Sequence, residues 1–234
     1  MNSIRVINEG FLSNLQVKSK KRVTDHGEVF TNPREVSAML DLVKQETERI
    51  DSRFLEPACG TGNFLVEILR RKLTIVTKKY KKSPAEWEKY AILALTSLYG
   101  VELLEDNVID CRQRLFDIFM ENYNTHCKAE VHSDCVEAGR YILERNILCG
   151  DALSLKQANG DPIIFSEWAL VSGNLIKRRD FRLDELIAGN TPTPTLFMGQ
   201  ENGGWHYDEE VKAFIPNPIR EFPLCDYREV QYAK

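Results

Sequence analysis

Between residues 53 and 73 the chain reads RFLEPACGTGNFLVEILRRKL, and no other stretch limits the fold as tightly. Arg53-Phe54-Leu55-Glu56 is a short apolar strand candidate, and Phe64, Leu65, Ile68, Leu69 and Leu73 recur at helical spacing. Between them lies Pro57-Ala58-Cys59-Gly60-Thr61-Gly62, whose glycines permit a tight turn and a close approach of ligand to backbone. The order predicted is strand, glycine turn, helix. Amides at the start of that helix favour anionic groups. The turn is not the Gly-x-Gly-x-x-Gly dinucleotide fingerprint, since Leu65 stands at the third glycine position, and no Gly-Lys-Ser/Thr makes a Walker loop. Alone, it suits a nucleotide-type ligand or a mere tight turn.

The rest of the chain repeats the alternation. Asn32-Pro33 starts a helix over 33–49, with Val36, Met39, Leu40 and Val43 on one face. Ser83 caps a helix over 84–97, with Pro84 at its first position and Glu86 three after the cap. Strands are predicted at 98–102, within 145–153 and within 163–172, with a helix over 105–121 between the first two. This is an α/β pattern with a mainly parallel central sheet, covered on both faces by its crossovers. Residues 188–209 are rich in Gly, Asn, Pro and Thr and read as a long loop, followed by a Pro-rich tail at 214–224. The organisation expected is a basic N-terminal arm and cofactor-lid segment at 1–32, an α/β domain at 33–187 and a loop-rich extension at 188–234.

Composition sets outer bounds. With 234 residues, 43% of them apolar, the chain can bury a core. It has no run of about 18 apolar residues that would cross a membrane. The N-terminus lacks the apolar region of an export signal, and six irregularly spaced cysteines suit reduced thiols, so a cytoplasmic protein is expected. The net charge of −4 conceals basic clusters at Lys18–Arg22, at Arg70–Lys72 with Lys78–Lys82, and at Lys177–Arg179. Such clusters can meet a polyanion or simply solvate helix faces.

Four motifs then occur in one order. Leu55-Glu56-Pro57-Ala58-Cys59-Gly60-Thr61-Gly62-Asn63-Phe64 resembles the S-adenosylmethionine motif of the adenine-N6 DNA methyltransferases of restriction–modification systems. Gly27-Glu28-Val29-Phe30-Thr31-Asn32-Pro33 resembles the Gly-x-x-Phe-Thr-Pro segment upstream of it, with Asn32 inserted. Tyr99-Gly100-Val101-Glu102 and Gly150-Asp151-Ala152-Leu153 resemble the second- and third-strand elements. The resemblance covers residues 24–175 and implies a Rossmann-like methyltransferase fold with S-adenosylmethionine as cofactor. It implies that Phe30, Thr31, Glu56, Pro57, Ala58, Gly60, Gly62, Glu102, Asp151 and Ala152 bind that cofactor. The chemistry agrees: a carboxylate at a strand end, such as Glu102, can accept from vicinal ribose hydroxyls, and Asp151 can accept from an adenine amine. Glu56 and the turn amides can address the methionine end.

The catalytic element of that family, Asn/Asp-Pro-Pro-Tyr/Phe, accepts from the target amine and stacks on a flipped base. Here the expected position reads Val171-Ser172-Gly173-Asn174-Leu175, so Asn174 is the candidate catalytic acceptor and the stacking aromatic is missing. Phe181 is too far along to replace it, and Pro216-Asn217-Pro218 reads as a turn. Three readings stay open: an adenine methyltransferase with an altered loop, a methyltransferase for another substrate, or an inactive cofactor- or DNA-binding subunit. Lys177–Arg179 abuts the expected catalytic loop and, with Lys18–Arg22, is expected to contact DNA phosphates. The loop-rich remainder is short for a DNA-reading domain, so a specificity or catalytic partner subunit is expected. His126, Cys127, His132 and Cys135 match no zinc-finger spacing and read as incidental, with no metal expected. Cys59 reads as a small apolar residue. Trp168, Trp205, Tyr207 and Tyr227 offer stacking surfaces but suit packing better.

Overall fold

The computed structural model describes residues 18–188, 205–208 and 213–234. Ser19 caps α1 (Lys20–His26), and Gly27 ends it in the left-handed region at φ +64. Asn32 accepts from the Arg34 N–H and starts α2 (Pro33–Asp41). The single helix expected over 33–49 is two pieces, because the apolar stripe stops at Leu40. Leu42 and Val43 are exposed, Val43 leaves helical geometry, and α3 (Lys44–Thr47) is a separate turn.

The chain continues through β1 (Phe54–Glu56), α4 (Asn63–Tyr80), α5 (Pro84–Thr96), β2 (Leu98–Glu102), α6 (Glu105–Cys127), α7 (Ser133–Asn146) and β3 (Ile147–Cys149). Helix α6 outruns its expected end at 121 because Tyr123 and Cys127 prolong the buried face of Leu115 and Phe119. The strands form a parallel sheet of order β1-β2-β3, the α/β arrangement compatible with a Rossmann-like fold. On β2, Leu98 faces the helices while Tyr99 and Val101 face the other way, the two-residue alternation of a strand. The main core lies on the helical side, where Leu65, Leu69, Trp87, Ile92, Leu95, Leu115 and Phe119 are fully enclosed. Each large side chain there stabilises the fold by about 1.5–3 kcal/mol through burial.

Two expectations about the sheet are corrected. The order β1-β2-β3 steps in one direction, so right-handed crossovers put their helices on one face only. The other face is covered by an antiparallel hairpin of β4 (Ile164–Ser172) and β5 (Leu175–Arg182), followed by α8 (Leu183–Ala188). Phe165, Ile163 and Leu183 pack there against Tyr99 and Val101. The fourth strand exists where the sequence put it, but it joins a separate antiparallel sheet.

The direction of β4 is fixed by its contacts. Ile163 packs against Gly150, just past the end of β3. The Ser166 carbonyl accepts from Tyr99 Oη at 3.0 Å. Trp168 Nε1 donates to Asn146 Oδ1 at 2.9 Å, just before the start of β3. Strand β4 therefore descends from the carboxyl ends of the parallel strands to their amino ends.

Residues along β5 alternate between faces, which dissolves the basic run. Lys177 pairs with Glu221 at 2.7 Å and Arg179 with Glu167 at 2.5 Å. Arg178 is buried, forked on Asp180, bonded to Ser166 Oγ and 3.9 Å from the Phe222 ring. All three cations of Lys177–Arg179 are thus held by acids of the same sheet region.

Near the C-terminus, β6 (Trp205–Asp208) pairs with β7 (Ala213–Pro216), so the loop read over 188–209 is corrected at 205–208. Aromatic residues favour strand geometry there, and Pro216 stands at a strand end where its missing N–H costs little. Residues 189–204 of that loop lie outside the described residues, as do the side chains of Trp205 and Tyr207. Strands β8 (Arg220–Glu221) and β9 (Cys225–Asp226) pair with β5 and return the chain to the body. Among the described residues no helix is long and apolar enough to cross a membrane.

Candidate functional site

The glycine turn is held open by its own stereochemistry and by three neighbours. Gly60 and Gly62 have φ of +53 and +85, angles that side chains resist. A Cβ on Gly60 would press on the Phe30 ring, and one on Gly62 would lie 2.5 Å from Cys111 Sγ. The Gly60 N–H donates to Glu102 Oε2 at 2.9 Å. Arg114 Nη1 donates to the Thr61 carbonyl and, at 2.8 Å, to Asn63 Oδ1. Asn63 Nδ2 in turn donates to the Thr31 carbonyl at 2.9 Å, tying the upstream segment to the start of α4.

These contacts frame a cavity of about 770 Å³ at the carboxyl ends of the parallel strands. Its walls come from 27–31, the glycine turn, the β2 end and Gly150–Leu153. Of the positions expected to bind cofactor, Phe30, Thr31, Glu56, Pro57, Ala58, Gly60, Glu102, Asp151 and Ala152 all line it. Gly62 does not: it is buried beneath the turn, where it lets α4 pack against Cys111.

The cavity is acidic. Glu28, Glu56, Glu102 and Asp151 line it, and among the described residues no lysine, arginine or histidine does. Burial raises the pKa of Glu56, with the Ala58 N–H working against it. The Leu153 N–H, donating to Asp151 Oδ1 at 2.9 Å, holds Asp151 below its ordinary value. For Glu28, burial acts to raise the pKa, but hydrogen bonds from Arg22 and Asn107 outweigh it and the net shift is downward. Glu102 Oε1 accepts from the Leu104 N–H at 3.1 Å and from Asn107 Nδ2 at 3.3 Å. Carboxylates accept and do not donate, so this wall suits a ligand rich in hydroxyl or cationic groups and opposes a polyphosphate.

Two groups of expected residues lie elsewhere. Gly173-Asn174 forms the two-residue turn between β4 and β5, with Gly173 at φ +57, a position hairpins reserve for glycine. Asn174 is exposed at the amino ends of the parallel strands, the end opposite the cavity. The structure does not bring it together with the positions that line the cavity, because an antiparallel β4 carries the turn away. Phe181 is buried in the hairpin, and Trp168 and Tyr227 in the main helical core. The basic arm is likewise redirected. Lys18 pairs with Asp106 and Asp110, and Arg22 with Asp106 and Glu28, while Lys20 and Lys21 are exposed.

The His/Cys group divides among separate partners. His126 Nε2 lies 3.1 Å from Thr77 Oγ1, and His132 Nδ1 lies 2.8 Å from Glu88 Oε2. Cys127 and Cys135 are buried thiols whose pKa values burial pushes up. No group of metal-ligating side chains forms among the described residues. The Cys111 thiol and burial drive Cys59 far up as well, which suits an apolar wall and not a nucleophile.

Sequence reasoning missed Asn107, Glu28, Asn63 and Arg114. For Asn107 a signal existed: it stands one turn before Cys111 and Leu115 on the buried stripe of α6, an amide where an apolar residue belongs. Glu28 and Asn63 lie within the motifs at 27–33 and 55–64 but had no role assigned there, and Arg114 carried no signal, since its partners come from a distant segment.

No protein-family model matches the chain, and no solved structure matches it. The chain is similar to the protein named DNA methyltransferase A of Bacillus subtilis (strain 168), with 29% identity over 126 residues. That likeness covers 52% of this chain and 14% of the relative, so the chain spans a small part of that protein's length.

Proposed function

We propose that this chain binds S-adenosylmethionine and is a methyltransferase-like protein acting on adenine N6 in DNA, within a restriction–modification or related defence system. The observation that carries the reading is the cavity wall of four carboxylates, with no basic side chain among the described residues. S-adenosylmethionine is a donor-rich cation, with ribose hydroxyls, an ammonium and a sulfonium, and it fits such a wall where a nucleoside triphosphate does not. Glu102 would take ribose hydroxyls, Asp151 the adenine amine, and Glu56 with the glycine-turn amides the methionine end. The bound cofactor would supply the methyl group; the chain's residues orient it. The four motifs and the likeness to a DNA methyltransferase support the same reading.

A second reading is favoured by the position of Asn174. With that residue at the far end of the sheet, the groups that accept the target amine come from a segment other than the β4–β5 turn or from a partner chain. Calorimetry with S-adenosylmethionine tests the first reading: a folded protein that takes up no ligand refutes it. Transfer of a tritiated methyl group to unmethylated DNA, with the protein alone and with neighbouring gene products, separates the two readings.

A further inference from the structure

Asn107 is 0% exposed, lines the acidic cavity, and has a side chain satisfied on one side only. Its Nδ2 donates to Glu28 Oε1 at 2.6 Å and to Glu102 Oε1 at 3.3 Å. That pair of acceptors settles which way the amide faces, because the reverse would set a carbonyl oxygen against two carboxylates. Its Oδ1 is then a buried acceptor that meets no donor among the described residues. Buried polar atoms without a partner are rare in folded chains and need a reason. A structural role for Asn107 would explain Nδ2 but not Oδ1.

Glu28 connects this amide to the N-terminal segment. Arg22 forks both Glu28 oxygens, Nε to Oε2 at 2.7 Å and Nη2 to Oε1 at 2.8 Å. Arg22 also reaches Asp106, and Lys18 reaches Asp110 at 2.7 Å, both on the first turns of α6. Segment 18–31 is thereby clasped onto the helix that carries Asn107, and its Gly27–Thr31 end forms a wall of the cavity.

We propose that Asn107 is a ligand-binding residue that couples the cavity to the clasp: its Oδ1 accepts from a hydroxyl of the bound nucleoside while its Nδ2 holds Glu28. This rests on the cofactor reading above and goes beyond it, because it assigns an additional residue and predicts that ligand tightens segment 18–31. A hydroxyl entering this acceptor-rich corner meets Glu102 and Asn107 together, so the corner selects an unmodified sugar diol and rejects a phosphorylated one.

The test measures equilibrium binding of S-adenosylmethionine, of its demethylated product S-adenosylhomocysteine, and of the 2′- and 3′-deoxy forms of that parent compound. The proteins are the unmodified chain, Asn107→Ala, Arg22→Gln and Glu102→Ala, each checked for folding by thermal unfolding. Trypsin cleavage after the exposed Lys20 and Lys21 is followed with and without ligand. Asn107→Ala should bind about tenfold more weakly, the equivalent of about 1.4 kcal/mol. Removing one of the two hydroxyls should weaken binding to the unmodified chain but not to Asn107→Ala. Ligand should slow trypsin cleavage of the unmodified chain, and neither Asn107→Ala nor Arg22→Gln should show that protection. If Asn107→Ala does not fold, the unmodified chain still decides: equal binding of both deoxy forms and of the parent compound, or cleavage indifferent to ligand, overturns the proposal. Binding that Glu102→Ala abolishes and Asn107→Ala leaves untouched overturns the proposal while sparing the cofactor reading. Absence of binding to the folded, unmodified chain removes both.

Discussion

Two carboxylates, Glu88 and Glu102, show how differently this molecule treats buried acid. Glu88 is 1% exposed and takes hydrogen bonds from Tyr123 Oη, Tyr227 Oη at 2.7 Å, Arg228 Nε at 2.5 Å and His132 Nδ1. Those partners come from α6, the C-terminal segment and the turn before α7, so Glu88 joins distant pieces of chain. Every one of these partners is a protein group. Glu102 holds the glycine turn and the start of α6 through three amide donors, yet it lines an open cavity beside an acceptor with no donor among the described residues. A closed polar cluster specifies structure, whereas a site leaves acceptors for something else to fill.

The contrast can be broken by mutation. Glu88→Ala should produce the largest effect, about 3–5 kcal/mol lost in denaturant unfolding, because it strands Arg228 and two tyrosine hydroxyls. A loss under 1 kcal/mol would mean the cluster is not what fastens the C-terminal segment. Glu102→Ala should weaken S-adenosylmethionine binding about 100-fold, equivalent to about 2.7 kcal/mol, with a smaller change in stability. Equal damage to both quantities would place Glu102 with Glu88 as a structural acid.

The amino end of the sheet supplies a sharper probe, in pH. Lys72 is buried, with its Nζ donating to the carbonyls of Ile50 and Ser52 and to Ser97 Oγ. Burial lowers its pKa from 10.5 to about 7. Between those values the unfolded chain binds more protons than the folded one, so stability should rise with pH from about 7 to 10.5. Thermal unfolding across that range should show the slope, and Lys72→Met should flatten it. At the cavity end the sign is the same and the pH window is lower. The lowered Glu28 should stabilise the clasp above the ordinary carboxylate value of 4.5 and release it as pH falls below.

The smallest effect is expected at Asn174. Its exposed side chain at a hairpin turn predicts a change within about 0.5 kcal/mol for Asn174→Ala and unaltered cofactor binding. A tenfold loss of binding would bring that turn back to the cavity and reverse the placement of β4.

Much of the cavity was legible because its parts are short and local. Pro57–Gly62 must turn, Phe64–Leu73 must be helical, and Glu102 and Asp151 follow apolar strand stretches. The hairpin was not, since the apolar run at 163–172 is equally good as a parallel or an antiparallel strand. Nor does the basic spelling Lys177-Arg178-Arg179 reveal that the three side chains alternate between faces and meet acids at 167, 180 and 221. The clasp joins residues 84 apart, at Arg22 and Asp106, a distance over which periodicity carries no information.

The sequence by itself determined the strand, glycine turn and helix, because steric limits on backbone angles and the spacing of apolar side chains act within a few residues. Tertiary structure alone decided which end of the sheet each candidate residue reaches. Strand direction is set by the surface a strand buries: β4 covers Tyr99 and Val101 by running against the parallel strands, and this leaves Asn174 at one end and the acidic cavity at the other.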